Sequence, residues 1–318
     1  MSPDAVATPD HREADEGQRE LAVRIGLGLF ASEAELHHLI AIARQIDVGA
    51  GQVLFERGQP VTTMFQLVDG DVELQAPERP AWRVAQRGAI GFLDFARHAV
   101  HERTAKVTRP AQLLELDASD YRDYLEDNYE VGQRIRDRLC EEVTASILAT
   151  ADPAPLLALE RGDGELDARS FFEIEIPVVD RLLMLSRMAP FRGASVQALA
   201  NLAQCAAERR IEPGGLVTQH GTDPRMISLL VEGAIELELP TGRVARSGRG
   251  LVAHLEELAP GPRRTTAVAT APTIVLDIDR DDLIDRVEEH FDLGMTLLAF
   301  AAAEQARIND LTTTCRVA

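Results

Sequence analysis

The chain has 318 residues, 45% of them apolar, and a formal net charge of −19. That length has room for two domains with sizeable cores. The acidity excludes a surface that gains from counterion release on nucleic acid, and docking on anionic lipid.

Nearly all the positive charge is arginine, with Lys106 the only lysine, so a single arginine carries less weight here than usual. The three cysteines, Cys140, Cys205 and Cys315, are widely spaced and form no C-x-x-C pair. A disulfide framework or zinc site is not expected, and a reducing, cytoplasmic setting is. No apolar run approaches the roughly 20 residues of a membrane span.

Residues 1–20 read as a disordered acidic leader, with neither a basic nor an apolar signal region. A helical pattern follows from Leu21 to Phe30, and Ser32 to Glu35 resembles a capped start for a second helix (Leu36, Leu39, Ile40, Ile42). The texture changes at Val48. Gly51 to Phe55 predicts a short strand and Gly58-Gln59-Pro60 a turn. Met64 to Val68 predicts a strand, Asp69-Gly70 a hairpin turn, and Val72 to Leu74 the returning strand. Trp82 to Val84 adds another. A glycine turn at Gly88 and Gly91 opens a short apolar turn, Phe92, Leu93 and Phe95, which leads to Arg103. Thr104 to Val107 and Leu113 to Leu116 predict two more strands. Asp117 to Asp120 then caps one helix or a pair, running to about Thr150. Proline and glycine punctuate Asp152 to Pro155 and Arg161 to Gly164, which marks a domain junction.

The first half then repeats. Leu182, Leu183, Leu185 and Met188 lead to Phe191 as the earlier helix leads to Phe30. Gly214, Gly221 and Gly233 stand at the spacing of Gly51, Gly58 and Gly70, and Thr266 to Pro272 tracks Thr104 to Pro110. Leu276, Ile278, Asp279 and Asp282 track Leu114, Leu116, Asp117 and Asp120. The offset stays near 162 residues throughout, which implies two copies of one fold. A helical stretch from Leu283 to about Leu311 ends the pattern.

On these residues each half resembles a cyclic-nucleotide-binding domain: the strand-turn glycines, the leading helix, and a trailing Leu-x-Leu-Asp before a long helix. The resemblance implies a mixed α+β fold of two tandem β jelly-roll barrels, each flanked by N-terminal and C-terminal helices. The expected domains are 21–150 and 181–318, joined by a linker over 151–180. It also implies a phosphate-binding cassette of the pattern Phe-Gly-Glu, an apolar turn, then Arg-x-Ala-x-Val. In the first half the candidate ligand residues are Gly91, Phe92, Leu93, Arg103, Thr104 and Ala105. Gly91 and Arg103 keep the pattern, but Phe92 replaces the glutamate that accepts from the ribose hydroxyl, at a cost of about 1–3 kcal/mol. Asp94 lies two residues on, and a helical turn is expected to aim it elsewhere. In the second half the matching residues are Ala253, His254, Leu255, Arg264, Thr265 and Thr266. There the glycine and the glutamate are both gone, and Glu256 and Glu257 would repel a phosphate.

His98 to Glu102 reads as a polar loop rather than a metal site. No metal, cofactor or enzymatic motif is expected; cAMP or cGMP is the ligand the resemblance implies. The expected function is a non-enzymatic regulatory protein whose first half binds a cyclic nucleotide or other small anion and whose second half does not. The alternative is an interaction protein that kept the fold and lost the ligand, with Phe92 and Leu93 filling the old pocket. Another protein, or self-association through helices, is the expected partner. A catabolite-activator type of transcription regulator is disfavoured by the short segment after the last helix and by the acidity. A kinase regulatory subunit shares the layout, but no inhibitory Arg-Arg-x-Ala/Ser segment precedes the first half.

Overall fold

The computed structural model describes residues 39, 41–84, 88–97, 100–159, 170–312 and 314–315. The leader 1–20, the helical pattern leading to Phe30 and the Arg161 to Gly164 turn lie outside the described residues. The chain divides into two compact units, Met1–Arg134 with Asn309–Ala318, and Ile135–Ile308.

The first unit starts with strands β1 (Arg44–Val48), β2 (Val53–Phe55), β3 (Thr63–Ala76), β4 (Arg79–Val84) and β5 (Ala89–Ile90). A short helix α1 (Phe92–Ala96) and strand β6 (Thr104–Asp117) follow. Strand β6 holds the sheet together, pairing antiparallel with β1, β2 and β3. Strand β3 pairs in turn with β4 and β5. Helix α2 (Ala118–Asp127) begins where Asp117 accepts from the Ser119 and Asp120 amides, satisfying two of the N–H groups a helix start leaves open. Helix α3 (Tyr129–Ala149) comes next, so the long helical run after Asp117 is a pair. Met64, Leu67, Phe92, Leu113, Leu114 and Tyr121 form the centre of this core, each at most 1% exposed.

The expected hairpin at Asp69-Gly70 is instead one continuous strand. Gly70 sits inside β3 at φ 111°, with register shifts against β6 on either side. A β-carbon at Gly70 would lie 2.4 Å from the Ala111 Cα. The glycine lets the strand bend while β6 crosses against its backbone. Likewise Thr104 to Val107 and Leu113 to Leu116 belong to the single strand β6.

The second unit includes helices α4 (Ala154–Leu157), α5 (Val178–Arg187) and α6 (Val196–Cys205), with a 3₁₀ turn at Ala189–Phe191. Among the described residues it has two four-stranded antiparallel sheets. The strands are β7 (Ala207–Ile211), β8 (Leu216–Thr218), β9 (Met226–Glu232), β10 (Ala234–Leu239), β11 (Gly242–Ser247), β12 (Gly250–Leu251), β13 (Thr266–Ala269) and β14 (Thr273–Asp279). One sheet runs β11-β10-β13-β8 and the other β12-β9-β14-β7. The chain passes from one sheet to the other at Gly233, φ 100°, where a β-carbon would stand 2.3 Å from the Pro272 oxygen. Helix α7 (Arg280–Glu289) is capped by Asp279, which accepts from the Asp281 amide. Helix α8 (Phe291–Thr312) and strand β15 (Thr314–Cys315) close the described chain. From Asn309 onward these residues belong to the first unit, where β15 pairs parallel with β4 through Arg83 and Val84.

The sequence offset persists in the backbone. Gly51 and Gly214 both have left-handed φ (87° and 83°), as do Gly58 and Gly221 (88° and 79°). The Gly51 amide donates to the Val107 oxygen at 2.8 Å, and Gly214 to the Ala269 oxygen at 2.7 Å. The Gly58 amide donates to the His101 oxygen, and Gly221 to the Arg263 oxygen, both at 2.8 Å.

Candidate functional site

Between β5 and β6 the first unit has a narrow cleft of about 20 Å³, roughly room for one water. Gly91, Leu93 and Arg103 line it, together with Trp82, Asp94 and Glu102. Gly91 turns the chain from β5 into α1 at φ 86°, and a β-carbon there would sit 3.2 Å from the His101 ring. Any side chain at this corner would press on His101, which is 2% exposed and stacked 3.5 Å from Phe55. The expected polar loop therefore carries a buried histidine at its end, while His98 lies outside the described residues.

Four of the six first-half candidates fall in different surroundings. Phe92 is 1% exposed and packs against Phe95 and Tyr121, so it belongs to the helix-facing core and does not fill the cleft. Leu93 does line the cleft. Thr104 Oγ accepts from the Arg57 amide at 3.1 Å, and Ala105 is fully buried in the pairing with β2 and β3. Asp94, expected to point elsewhere, lines the cleft, because two residues of helix, roughly half a turn, bring it to the side opposite Phe92. Its carboxylate accepts from the Glu102 amide and faces His101 Nδ1, both at 3.3 Å.

Arg103 leaves the chain just before β6 and is 2% exposed. A buried guanidinium needs its charge matched and its donors filled. Its Nη1 donates to the Pro80 oxygen at 2.6 Å, and its Nη2 to Asp310 Oδ1 at 2.5 Å. The guanidinium carbon lies 3.8 Å from the centre of the Trp82 ring, a stacking that favours the cation by about 0.5–2 kcal/mol. Trp82 Nε1 donates to the same Asp310 oxygen at 3.0 Å. A carboxylate from the last turn of α8 thus takes one edge of the Arg103 guanidinium. At the mouth, Glu102 pairs with Arg97 and, at 3.4 Å, with Arg79. The hydrogen bond from Arg97, above all, holds the Glu102 carboxyl below its ordinary range.

The second unit has the corresponding turn, with a different filling. His254 to Glu257 form a 3₁₀ turn after Ala253, and all are buried. Glu256 accepts from the Thr265 amide at 3.2 Å and the Thr265 hydroxyl at 2.5 Å, and also from the Arg264 amide. Glu257, fully buried, pairs with Arg263 at 2.9 Å and accepts from the Ser228 and Ala253 amides. The buried arginine ahead of β13 is thus Arg263, one residue before the candidate Arg264. Thr266 Oγ accepts from the His220 amide at 3.1 Å, as Thr104 does from Arg57. His254 stands at φ 57°, uncommon for a side-chain-bearing residue, with Nε2 3.2 Å from Glu304. Burial pushes its imidazole below the usual value, towards the neutral form. Nearby, Arg246 donates to the Leu157, Leu251 and Val252 oxygens, and burial lowers it to about 10.

Among the described residues no helix is long and apolar enough to cross a membrane, and no group of three or more His, Cys, Asp or Glu side chains is placed to hold a metal. No family model matches the chain. A protein of Rhodopseudomonas palustris (strain ATCC BAA-98 / CGA009) described as a "putative potassium channel protein" is 23% identical over 118 residues. The match covers 36% of this chain and 29% of that protein, so the chain spans less than a third of its relative's length. Similar solved structures include the regulatory domain of Toxoplasma gondii PKA with cAMP, 14% identical, with 93% of this chain and 99% of that one covered at a TM-score of 0.35. Another is the regulatory subunit of a cAMP-independent protein kinase A from Trypanosoma brucei, a mutant bound to cAMP in its A site. It is 14% identical, with 92% and 91% covered and a TM-score of 0.34.

Proposed function

We propose that the chain is a non-enzymatic regulatory protein with two cyclic-nucleotide-binding-like barrels, within 21–150 and 181–318. The first receives a cyclic nucleotide or another small anion, and the second has no ligand site left. Output passes through the helices to a protein partner or a second copy, in the cytoplasm. The observation that carries this reading is Arg103: a buried guanidinium beside the cleft that already holds an anionic oxygen at 2.5 Å. A position that holds a carboxylate this way has the charge and donors for a phosphate oxygen. In the second unit Glu256 and Glu257 take the donors a phosphate would need.

Calorimetry on the full chain with cAMP and cGMP tests the reading. One weak site per chain is expected, lost in Arg103→Ala and kept in Arg264→Ala. Absence of heat and of thermal shift at millimolar nucleotide would overturn it. The alternative, a ligand-independent interaction protein, is favoured by the same Asp310 contact, because that contact already satisfies Arg103. On that reading a stable protein complex survives nucleotide and is indifferent to it.

A further inference from the structure

Arg103 of the first unit already has a carboxylate partner from its own chain. Asp310 Oδ1 takes one donor from Arg103 and one from Trp82, at 2.5 and 3.0 Å. Two residues beyond the end of α8, Thr314 and Cys315 add a short parallel strand to β4 at Arg83 and Val84, next to Trp82. The segment therefore binds the unit twice, through a carboxylate and through backbone pairing on a sheet edge. The cleft beside Arg103 remains lined by Gly91, Leu93 and Asp94. A phosphate-bearing ligand that reaches this guanidinium edge would meet the Asp310 carboxylate, and two anions on one edge repel.

We propose that Asn309–Cys315 is a built-in competing ligand. Asp310 stands in for the anion, and a phosphate-bearing ligand enters by releasing this segment from Arg103 and β4. The inference rests on the reading of the first unit as an anion receiver. Tethering keeps the carboxylate at a high effective concentration, so the free ligand binds with its affinity reduced by the fraction of chains that are open. The tie is short, and the Asp310 side chain is 34% exposed, so its release is a local opening rather than unfolding of the unit. The signal that leaves the unit is then the position of the end of α8.

The chain contains a single tryptophan, and it is Trp82, so its emission reports this contact directly. The test compares the full-length chain with its Asp310→Ala and Asp310→Asn forms, with cAMP and cGMP as probes. Both substitutions are expected to shift Trp82 emission without ligand and to tighten nucleotide binding by about tenfold or more. Asn tests the charge while keeping the shape. In the unsubstituted chain, nucleotide is expected to move Trp82 emission at the midpoint of the calorimetric titration and to speed amide exchange at Arg83 and Val84. Equal affinity in all three forms overturns the competition and leaves the anion-receiving reading standing, as does binding without change at β4. No binding in any form overturns both. Unaltered emission in Asp310→Ala overturns the intrachain contact itself.

Discussion

Arg103 tolerates burial because three kinds of partner meet its guanidinium: a carbonyl, an indole face and a carboxylate. Removing either charge strands the other, so the Arg103→Ala and Asp310→Ala substitutions should be non-additive. A double-mutant cycle in urea is expected to give a coupling of about 1 kcal/mol, at the modest end because water reaches Asp310. A coupling indistinguishable from zero would mean the pair is not formed in solution. His254 makes a separate prediction. Its folded value lies below the ordinary 6.5, so the unfolded chain binds the proton first as pH falls. Stability is then complete above about pH 6.5 and declines below it, down to the folded value. His254→Gln should flatten that limb of the urea midpoint against pH, and an unchanged limb would place the proton uptake elsewhere. Of these residues, Gly91 and Arg103 were singled out only through the resemblance to a phosphate-binding cassette. Trp82 was visible only as part of a strand, and Asp310 only as one acidic residue on a helix. Nothing local in a sequence links a strand residue to a carboxylate on the last helix. Asp94 was misjudged because five residues of helix are enough to turn it into the cleft while Phe92 goes to the core.

At the level of elements, glycines with positive φ divide into two kinds. Gly70 and Gly233 have backbone pressed against the α-hydrogen face, whereas a β-carbon at Gly58 or Gly221 would meet nothing within 4 Å. Gly58→Ala and Gly221→Ala should each cost about 1–2 kcal/mol, the left-handed penalty alone. Gly70→Ala and Gly233→Ala should cost clearly more, since β6 or the Pro272–Thr273 backbone must also move. Unfolding midpoints of the four variants test the ranking, and four equal losses would refute it. The two kinds were indistinguishable in the sequence. A bulge inside a strand and a hairpin turn both call for a residue that accepts positive φ, so Asp69-Gly70 resembled a turn. The helix starts were easier, because Asp117 and Asp279 cap through short-range geometry that a few residues specify alone.

For the molecule as a whole, the 162-residue offset was the most legible feature, and it reappears in φ values and backbone hydrogen bonds at matched positions. It was legible because close approach and left-handed backbone restrict residue choice wherever they recur. The two candidate sites were harder to read. In one unit acidic side chains of the turn itself, Glu256 and Glu257, take the donors, and in the other the acid comes from the far end of the chain. That second arrangement has a consequence for how the protein is made. Arg103 and Asp310 are 207 residues apart in sequence. At about 5–20 residues per second, a ribosome leaves the arginine without its carboxylate for roughly 10–40 s. During that interval the nascent first unit carries Arg103 without the Asp310 carboxylate. A soluble anion present during synthesis would meet that site before the chain's own carboxylate exists.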